Sequence, residues 1–130
     1  MKFEKCCGAI IIDNEKVLIV KHQKGHFDFP KGHVENNETE VETALREVKE
    51  ETSLEIELDE RKRYVISYSP KEGTIKEVIF FLAKPITKEV KPQVNEIAEI
   101  KWLSFEEAVE RITYDNSREL LRQVMTEHQY

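Results

Sequence analysis

Hydrophobic and polar positions along the chain predict a series of strands joined by short polar turns. Apolar residues fill a first strand and, after the polar turn at 13–15, a second strand that returns beside it as a hairpin. Further along, apolar residues alternate with polar ones at the period of two that marks a half-buried strand. The predicted strands cover residues 3–12, 17–20, 54–58, 64–68, 74–83 and 97–103.

A helical period separates the second predicted strand from the third. After a polar and aromatic loop at 21–32, four apolar residues follow the spacing i, i+3, i+4, i+7 of an amphipathic helix. They are Val41, Ala44, Leu45 and Val48. Asn37, with Glu40 three residues later, fits a capping box, so we expect Asn37 to cap this helix.

Two further helices are predicted near the C-terminus. Ser104 and Glu107 form a second capping-box pattern, which opens a short helix that ends at about Ile112. Asp115 is expected to cap the last helix. Its expected core contacts are Leu120, Leu121, Val124 and Met125. Strands joined by hairpins, one central helix and C-terminal helices indicate an α/β (α+β) fold, a mixed sheet with helices packed on it.

The composition agrees with one folded domain over residues 1–130. Hydrophobic residues make up 39% of the chain and charged residues 35%, which argues against disorder, and no repeat or linker interrupts the pattern. No apolar segment approaches the roughly 20 residues that span a bilayer. The charged start at 1–5 lacks the apolar core of an export signal. We therefore expect a cytoplasmic protein without a membrane partner.

The net charge limits the partners further. At −6 it disfavours nucleic acid, because phosphate neutralisation needs clustered Lys and Arg. A small polyanionic substrate is still compatible with this charge if a divalent metal offsets the repulsion. Cys6 and Cys7 are adjacent and cannot easily pair with each other, so they are interpreted as small strand hydrophobes in a reducing compartment.

Three glutamates form an arc beside the apolar stripe of the central helix. Glu47, Glu50 and Glu51 stand at i, i+3 and i+4, where like charges repel and destabilise an isolated helix. A solvated acidic face is one interpretation. A hard divalent cation among the carboxylates is the other, since Mg²⁺ prefers oxygen ligands and keeps waters that a phosphate can replace.

The residues around the arc favour the metal interpretation. From Gly32 the sequence reads GHVENNETEVETALREVKEETSL, with Glu38, the Arg46-Glu47 pair and the Glu50-Glu51 pair at fixed spacings. This segment resembles the Nudix box, the signature of the Nudix hydrolases. It departs from the family at Ser53, where the family usually has the glycine that suits a left-handed helix end.

The resemblance implies a Nudix-type α/β/α sandwich and a metal-dependent hydrolase. Arg46 would orient a glutamate by a salt bridge, and Glu38 would help to fix the junction between loop and helix. Glu51 or Glu47 would also act on the attacking water, and the sequence does not choose between them. The implied ligands of Mg²⁺ or Mn²⁺ are the Gly32 carbonyl and the carboxylates of Glu47, Glu50 and Glu51.

Segments outside the box suggest the substrate. Residues 26–33 (HFDFPKGH) are similar to the W-x-x-P-K-G-H stretch of the asymmetrical diadenosine tetraphosphate hydrolases, with Phe27 in the Trp place. Lys31 and His33 would then face phosphate oxygens. His22 and His26 are interpreted as loop residues without a role in the site.

Two later segments extend the same resemblance. Residues 76–82 (KEVIFFL) are similar to the K-x-V-x-Y-[WY]-L strand of that subfamily, which makes Lys76 a candidate phosphate ligand and Phe80 a candidate substrate contact. Phe80 and Phe81 point to opposite faces of a strand, so at least one belongs to the core.

Residues 96–103 (EIAEIKWL) resemble the E-x-x-x-x-x-W-L segment that brings a further metal-site glutamate. By position this is Glu96, with Glu99 as the alternative. Tyr114 lies where the subfamily places a tyrosine that stacks on adenine.

The sequence therefore predicts a metal-dependent pyrophosphohydrolase that cuts diadenosine tetraphosphate to ATP and AMP. Water would attack the phosphorus that leaves as AMP. One alternative keeps the fold but acts on another nucleotide, such as a nucleoside triphosphate, ADP-ribose or an RNA 5′-end. A non-catalytic nucleotide-binding regulator is a second alternative, and it would be expected to lose carboxylates that this chain keeps.

Overall fold

The computed structural model describes residues 1–128. Seven strands and three helices are assigned within this range. The strands are β1 (Lys2–Asp13), β2 (Lys16–His22), β3 (Phe27–Asp28), β4 (Lys31–His33), β5 (Ile56–Lys71), β6 (Thr74–Pro85) and β7 (Ile97–Ser104). The helices are α1 (Glu40–Thr52), α2 (Phe105–Arg111) and α3 (Asp115–His128).

Strand β1 holds a mixed sheet together. The strand order is β3-β2-β1-β6-β5, with β4 also paired to β1 and β7 paired to β2. β1 and β6 run parallel, whereas the remaining neighbours are antiparallel. The predicted hairpin is present at its turn, where Asn14 and Glu15 adopt left-handed φ angles of 50° and 63°. Beyond two residue pairs the strands separate, and each finds another partner.

Helices cover both faces of this sheet. Alternate β1 residues, Cys7, Ala9 and Ile11, belong to the clusters that α1 helps to bury. The residues between them, such as Cys6 and Ile10, belong to the larger cluster that includes the core side of α2 and α3. The side-chain period of two in a strand thus sends one sequence into two cores. The predicted mixed sheet with helices on its faces is confirmed.

The predicted N-cap of the central helix is wrong by two residues. Thr39, not Asn37, caps α1: its hydroxyl accepts a hydrogen bond from the Glu42 N–H, and the Glu42 carboxylate accepts one from the Thr39 N–H. Both Asn37–Glu40 and Thr39–Glu42 fit the capping pattern. Glu40 instead forms ion pairs with Lys5 on β1 and Arg63 on β5, so packing against the sheet selects the later box.

Several boundaries differ from the predicted ones because of tertiary pairing. The loop at 21–32 contains β3 and the start of β4, which the sequence pattern did not predict. β5 is one strand with an irregularity after Asp59 rather than two separate segments. Leu45, expected in the apolar stripe of α1, is 39% exposed, whereas Glu51 and Thr52 are buried in its place. The buried face of α1 is therefore shifted away from Leu45 and toward Glu51.

Asp115, expected to cap the last helix, is instead the first residue of α3, whereas other expectations for the helices agree with the structure. Ser104 caps α2, Leu120, Leu121 and Val124 of α3 are buried, and Met125 packs against their cluster. Cys6 and Cys7 are free and buried. None of the three helices within residues 1–128 has the length and apolar character needed to cross a membrane.

The two capping patterns can be told apart by mutation. Thr39→Ala should lower the free energy of unfolding by about 1 kcal/mol, since it removes the acceptor for the Glu42 N–H. Asn37→Ala is the matched control and should have a smaller effect. Urea unfolding of both variants measures the difference, and an equal or larger loss for Asn37→Ala would contradict the observed cap.

Candidate active site

Four strands and one helix surround a cavity of about 440 Å³, which we call the carboxylate cavity. Box residues from β4 and α1 meet residues from β1, β2 and β6 there, together with Glu96 just before β7. Its acidic lining consists of Glu35, Glu47, Glu50, Glu51 and Glu96. Its basic and imidazole lining consists of Lys31, Lys76, His22, His26 and His33. Most of the residues singled out in the sequence thus lie together.

Gly32 allows β4 to lie directly against α1. A Cβ atom built at Gly32 would overlap the Glu47 carboxylate, so any side chain here would displace that group. Glycine is therefore required by close approach, since its backbone φ is not in the left-handed region. The contact brings the β4 backbone beside a carboxylate, and backbone carbonyl and carboxylate oxygens are both suitable donors for a hard cation.

Arg46 connects the loop, the helix and β4. Its guanidinium donates to both Glu38 carboxylate oxygens, at 2.7 and 2.9 Å, and to the His33 carbonyl at 2.9 Å. It also donates to Glu47 at 3.1 Å and to Glu50 at 3.2 Å. These hydrogen bonds from Arg46 are the main reason why the pKa of Glu38 falls to about 2. A single fork of donors thus fixes three carboxylates.

Two glutamates of the arc are poorly compensated. Burial, followed by the Glu50 charge, raises the pKa of Glu47 to about 7. Glu51 is only 2% exposed, and its burial, followed by the Glu47 charge, raises its pKa to about 8. Among Glu51's contacts is the Lys31 backbone N–H, which donates to its carboxylate at 3.2 Å. A divalent cation would relieve this repulsion.

The carboxylates do not converge on one point in this arrangement. Within residues 1–128, no three His, Cys, Asp or Glu side chains already form a cluster that could hold a metal ion. Arg46 lies between Glu47 and Glu50 and supplies positive charge there. The oxygen donors nevertheless fit Mg²⁺ or Mn²⁺ in type, because each lines the same cavity and Glu47 and Glu51 favour an added cation.

Of the two alternative glutamates on β7 and its approach, Glu96 lines the carboxylate cavity. Its carbonyl accepts a hydrogen bond from the Gln23 N–H, and its charge contributes to the raised pKa of Glu51. Glu99 pairs across the sheet with Lys21 and forms an ion pair with Lys101 at 3.2 Å. The structure therefore brings Glu96, and not Glu99, to the arc.

Lys31 belongs to two cavities at once. Its side chain is 13% exposed, and its ammonium lies 3.5 Å from the Asp28 carboxylate. It lines the carboxylate cavity and also a smaller one of about 160 Å³, which we call the aromatic cavity. The aromatic cavity is also lined by Tyr68 and by Tyr114, which is 45% exposed. A long anion with an aromatic end could occupy both.

Phe80 does not agree with its predicted role as a substrate contact. It has no exposed surface and packs edge-on against Phe29 in the larger core cluster. Phe81, on the opposite face, is also buried, beside α1. Helices cover both faces of β6, so successive side chains of this strand point alternately into one core cluster and the other.

Three aromatic residues near the site were missed or set aside in the sequence. His22 and His26 line the carboxylate cavity with their rings stacked at 4.1 Å. The His26 ring lies 5.7 Å from that of Tyr114. Tyr68, on β5, enters the aromatic cavity through the pairing of β5 with β6. No spacing rule connects these positions, since only the sheet brings them together.

Ser53 ends α1 in the left-handed conformation that is expected of the usual glycine. It adopts a left-handed φ of 69°, its N–H donates to the Lys49 carbonyl, and its hydroxyl donates to the Lys91 carbonyl at 3.3 Å. Serine thus takes the conformation that glycine would adopt at lower cost. The departure from the box affects the helix end and leaves the arc in place.

The layered sheet and the box geometry define the class of this protein. A family model described as NUDIX domain matches residues 3–124. The chain belongs to the Nudix family.

Individual relatives narrow the comparison. Nudix hydrolase 2 of Arabidopsis thaliana is 33% identical over 88% of this chain, which spans only 44% of that protein's length. Asymmetrical bis(5'-nucleosyl)-tetraphosphatase of Mus musculus is 30% identical over 92% of this chain and 91% of its own length. A binary complex of Ap4A hydrolase from C. elegans has a TM-score of 0.86 at 26% identity, covering 97% of this chain and 98% of that one.

Relatives with other names also match. The 8-oxo-(d)GTP phosphatase of Mycolicibacterium smegmatis is 31% identical over 83% of this chain, and this chain covers 33% of that protein. The family is therefore settled by the comparisons, whereas the substrate is a separate question.

The buried Glu51 carboxylate predicts an unusual pH response. Its pKa is about 8 in the folded protein and about 4.5 without the fold, so the associated stability is present below about pH 4.5 and lost as the pH rises through about 8. In a chelator, Glu51→Gln should melt above the wild type at about pH 9, with the difference shrinking toward about pH 5.

Glu89→Gln, in an exposed connection, is the matched control and should follow the wild type at each pH. Thermal melting followed by circular dichroism gives the comparison. Parallel pH profiles for the wild type and Glu51→Gln would show that Glu51 is not the group that carries this cost.

Proposed function

We propose that this protein is a metal-dependent pyrophosphohydrolase that cuts diadenosine tetraphosphate to ATP and AMP. The observation that carries the proposal is the placement of Lys31 between the carboxylate cavity and the aromatic cavity. A dinucleoside polyphosphate has both parts that such a pair of cavities can bind, a long phosphate chain and a flat base. The matched tetraphosphatases and Ap4A hydrolase support this choice.

Mg²⁺ or Mn²⁺ is the proposed cofactor, held by the Gly32 carbonyl and by Glu47, Glu50, Glu51 and Glu96. The family generally uses divalent metal ions, and the oxygen donors of the carboxylate cavity agree with that use. When bound, such an ion neutralises phosphate charge and lowers the pKa of its water. In this proposal Arg46 orients Glu47 and Glu50 through the hydrogen bonds already present.

Glu51 is the proposed acceptor of the proton from the attacking water, with Glu47 as the alternative. Its deeper burial and its fixed hydrogen bond from the Lys31 N–H support this choice.

Lys31, Lys76 and His33 are the proposed contacts for phosphate oxygens. All three line the carboxylate cavity, and Lys31 also reaches the aromatic cavity. Tyr114 is the proposed platform for the adenine ring, because it is partly exposed at that cavity and aromatic stacking holds a base with little regard to its edge.

Another nucleotide is the second candidate substrate. The likeness to an 8-oxo-(d)GTP phosphatase, which is 31% identical over 83% of this chain, favours it. The net charge of −6 disfavours an RNA 5′-end. A non-catalytic regulator is disfavoured because Glu38, Arg46 and the whole glutamate arc are present, and Arg46 donates to Glu38, Glu47 and Glu50.

A cytoplasmic location completes the proposal. Cys6 and Cys7 are free thiols, which a reducing compartment maintains.

Substitutions at the glutamates test the metal site. Glu51→Gln should lower kcat by about 100-fold or more, because it removes a charge with little change of shape. Glu96→Gln should have a smaller effect that added Mg²⁺ partly restores. Glu99→Gln, three residues further along the chain in β7, is the matched control and should leave the rate unchanged.

Steady-state rates at several Mg²⁺ concentrations separate these outcomes. Equal turnover by folded Glu51→Gln would remove Glu51 from the chemistry. A loss with Glu99→Gln but not with Glu96→Gln would mean that the wrong glutamate has been placed in the site.

Product analysis in ¹⁸O-labelled water tests the reaction itself. Attack on the phosphorus that leaves as AMP should place the label in AMP and give unlabelled ATP. A panel with Mg²⁺ should contain diadenosine tetraphosphate, nucleoside triphosphates and ADP-ribose. Two ADP products would contradict the asymmetrical cut, and a clear preference for another nucleotide would favour the second candidate.

A further inference from the structure

Thr113 joins the C-terminal part of the chain to the sheet beside the site. The Phe27 N–H donates to the Thr113 hydroxyl at 2.8 Å, and the Thr113 N–H donates to the Phe27 carbonyl at 3.0 Å. Phe27 on β3 is itself paired with Lys21 on β2. Thr113 therefore extends the hydrogen bonding of these two strands to the segment that follows α2. Apart from this contact, Thr113 is exposed.

This pair of hydrogen bonds determines where the next residue lies. Tyr114 directly follows Thr113, and His26 directly precedes Phe27. The hydrogen bonds between Thr113 and Phe27 therefore also bring Tyr114 close to His26. The His26 and Tyr114 rings accordingly lie 5.7 Å apart, with His26 lining the carboxylate cavity and Tyr114 the aromatic cavity. On its other side Tyr114 is held by the start of α3, where the Arg118 N–H donates to its carbonyl.

Phe27 provides a stable base for this contact. Its ring packs against the larger core cluster, and Lys21 and Arg111 lie 5.7 and 5.9 Å from its centre. Ile112, on the near side of Thr113, is buried and ends α2. The short segment between α2 and α3 is thus anchored at both ends, with Thr113 as its polar contact to β3.

We infer that Thr113 is a positioning residue that orients Tyr114 for the base of the substrate. The inference rests on the proposed base-binding role of Tyr114. The hydroxyl is needed because it accepts the hydrogen bond from the Phe27 N–H, a position that a backbone carbonyl would fill between two paired strands. Valine has the same shape without that acceptor, and serine keeps the acceptor without the methyl group.

A double-mutant cycle with Thr113→Val and Tyr114→Ala tests the inference. The Michaelis constant for diadenosine tetraphosphate, or for whichever nucleotide the wild type prefers in the panel, should rise about three- to tenfold in Thr113→Val with little change in kcat. Thr113→Ser should restore it. In the Tyr114→Ala background, Thr113→Val should add nothing, because the positioned ring is gone.

Inhibition constants add a readout that a general loss of structure would not separate. Thr113→Val should weaken inhibition by AMP and leave inhibition by inorganic tripolyphosphate unchanged, since the latter has no base. Thr126→Val is the matched control: it removes a hydroxyl that donates to the Arg122 carbonyl on α3, far along the helix from Tyr114. Melting curves identify any unfolded variant, and Thr113→Ala replaces Thr113→Val if that variant does not fold.

The outcomes separate this inference from the proposed function. Normal kinetics in Thr113→Val together with impaired Tyr114→Ala would overturn the role of Thr113 and keep that of Tyr114. Normal kinetics in both would overturn both roles, whatever the product analysis shows. The positioning role of Thr113 would also be overturned if Thr113→Ser had the same defect as Thr113→Val, or if the effect of Thr113→Val persisted at full size in the Tyr114→Ala background.

Discussion

The repulsion among carboxylates gathered at one end of a helix is the constraint on which the site depends. Glu47 and Glu51 are largely buried next to each other, a costly arrangement unless positive charge is supplied. Arg46 supplies part of it from within the same helix, and its remaining donors reach Glu38 and the His33 carbonyl. The loop, α1 and β4 are consequently held as one unit by the group that stabilises the acidic arc.

Two close backbone contacts shape the cavity beside these charged groups. Gly32 leaves room for the Glu47 carboxylate, and Gly8 on β1 leaves room for the Pro30 carbonyl, so β4 pairs with β1 and also contacts α1 closely. Lys31, between these glycine contacts, extends its ammonium to Asp28 while its N–H donates to Glu51. The backbone of one residue therefore contacts the acidic arc, and its side chain reaches the neighbouring cavity. In the proposed function, this shared wall would let one substrate reach from the carboxylate cavity to the aromatic cavity.

The sequence anticipated the elements better than their contacts. The box spacing, the longer strands and the α/β layering were predicted, because each depends on local period or on fixed separations along the chain, whereas the short strands β3 and β4 were not. The N-cap was misplaced because two capping boxes overlap by two residues, and only the ion pairs of Glu40 with Lys5 and Arg63 select the second one. Phe80 was assigned to the substrate because a strand pattern cannot show that helices cover both sides of β6.

The sequence by itself determined which chemistry is available: an arc of glutamates at helical spacing, an arginine next to it, and Gly32 at a fixed separation before the helix. These follow from the geometry of one helix and one short segment. Only the tertiary structure decided which more distant residues join them. The pairing of β2 with β7 brings Glu96 to the arc and directs Glu99 toward Lys101. The bridge from Phe27 to Thr113 sets Tyr114 beside His26, because contacts across 86 residues depend on how strands and helices pack, which no local pattern contains.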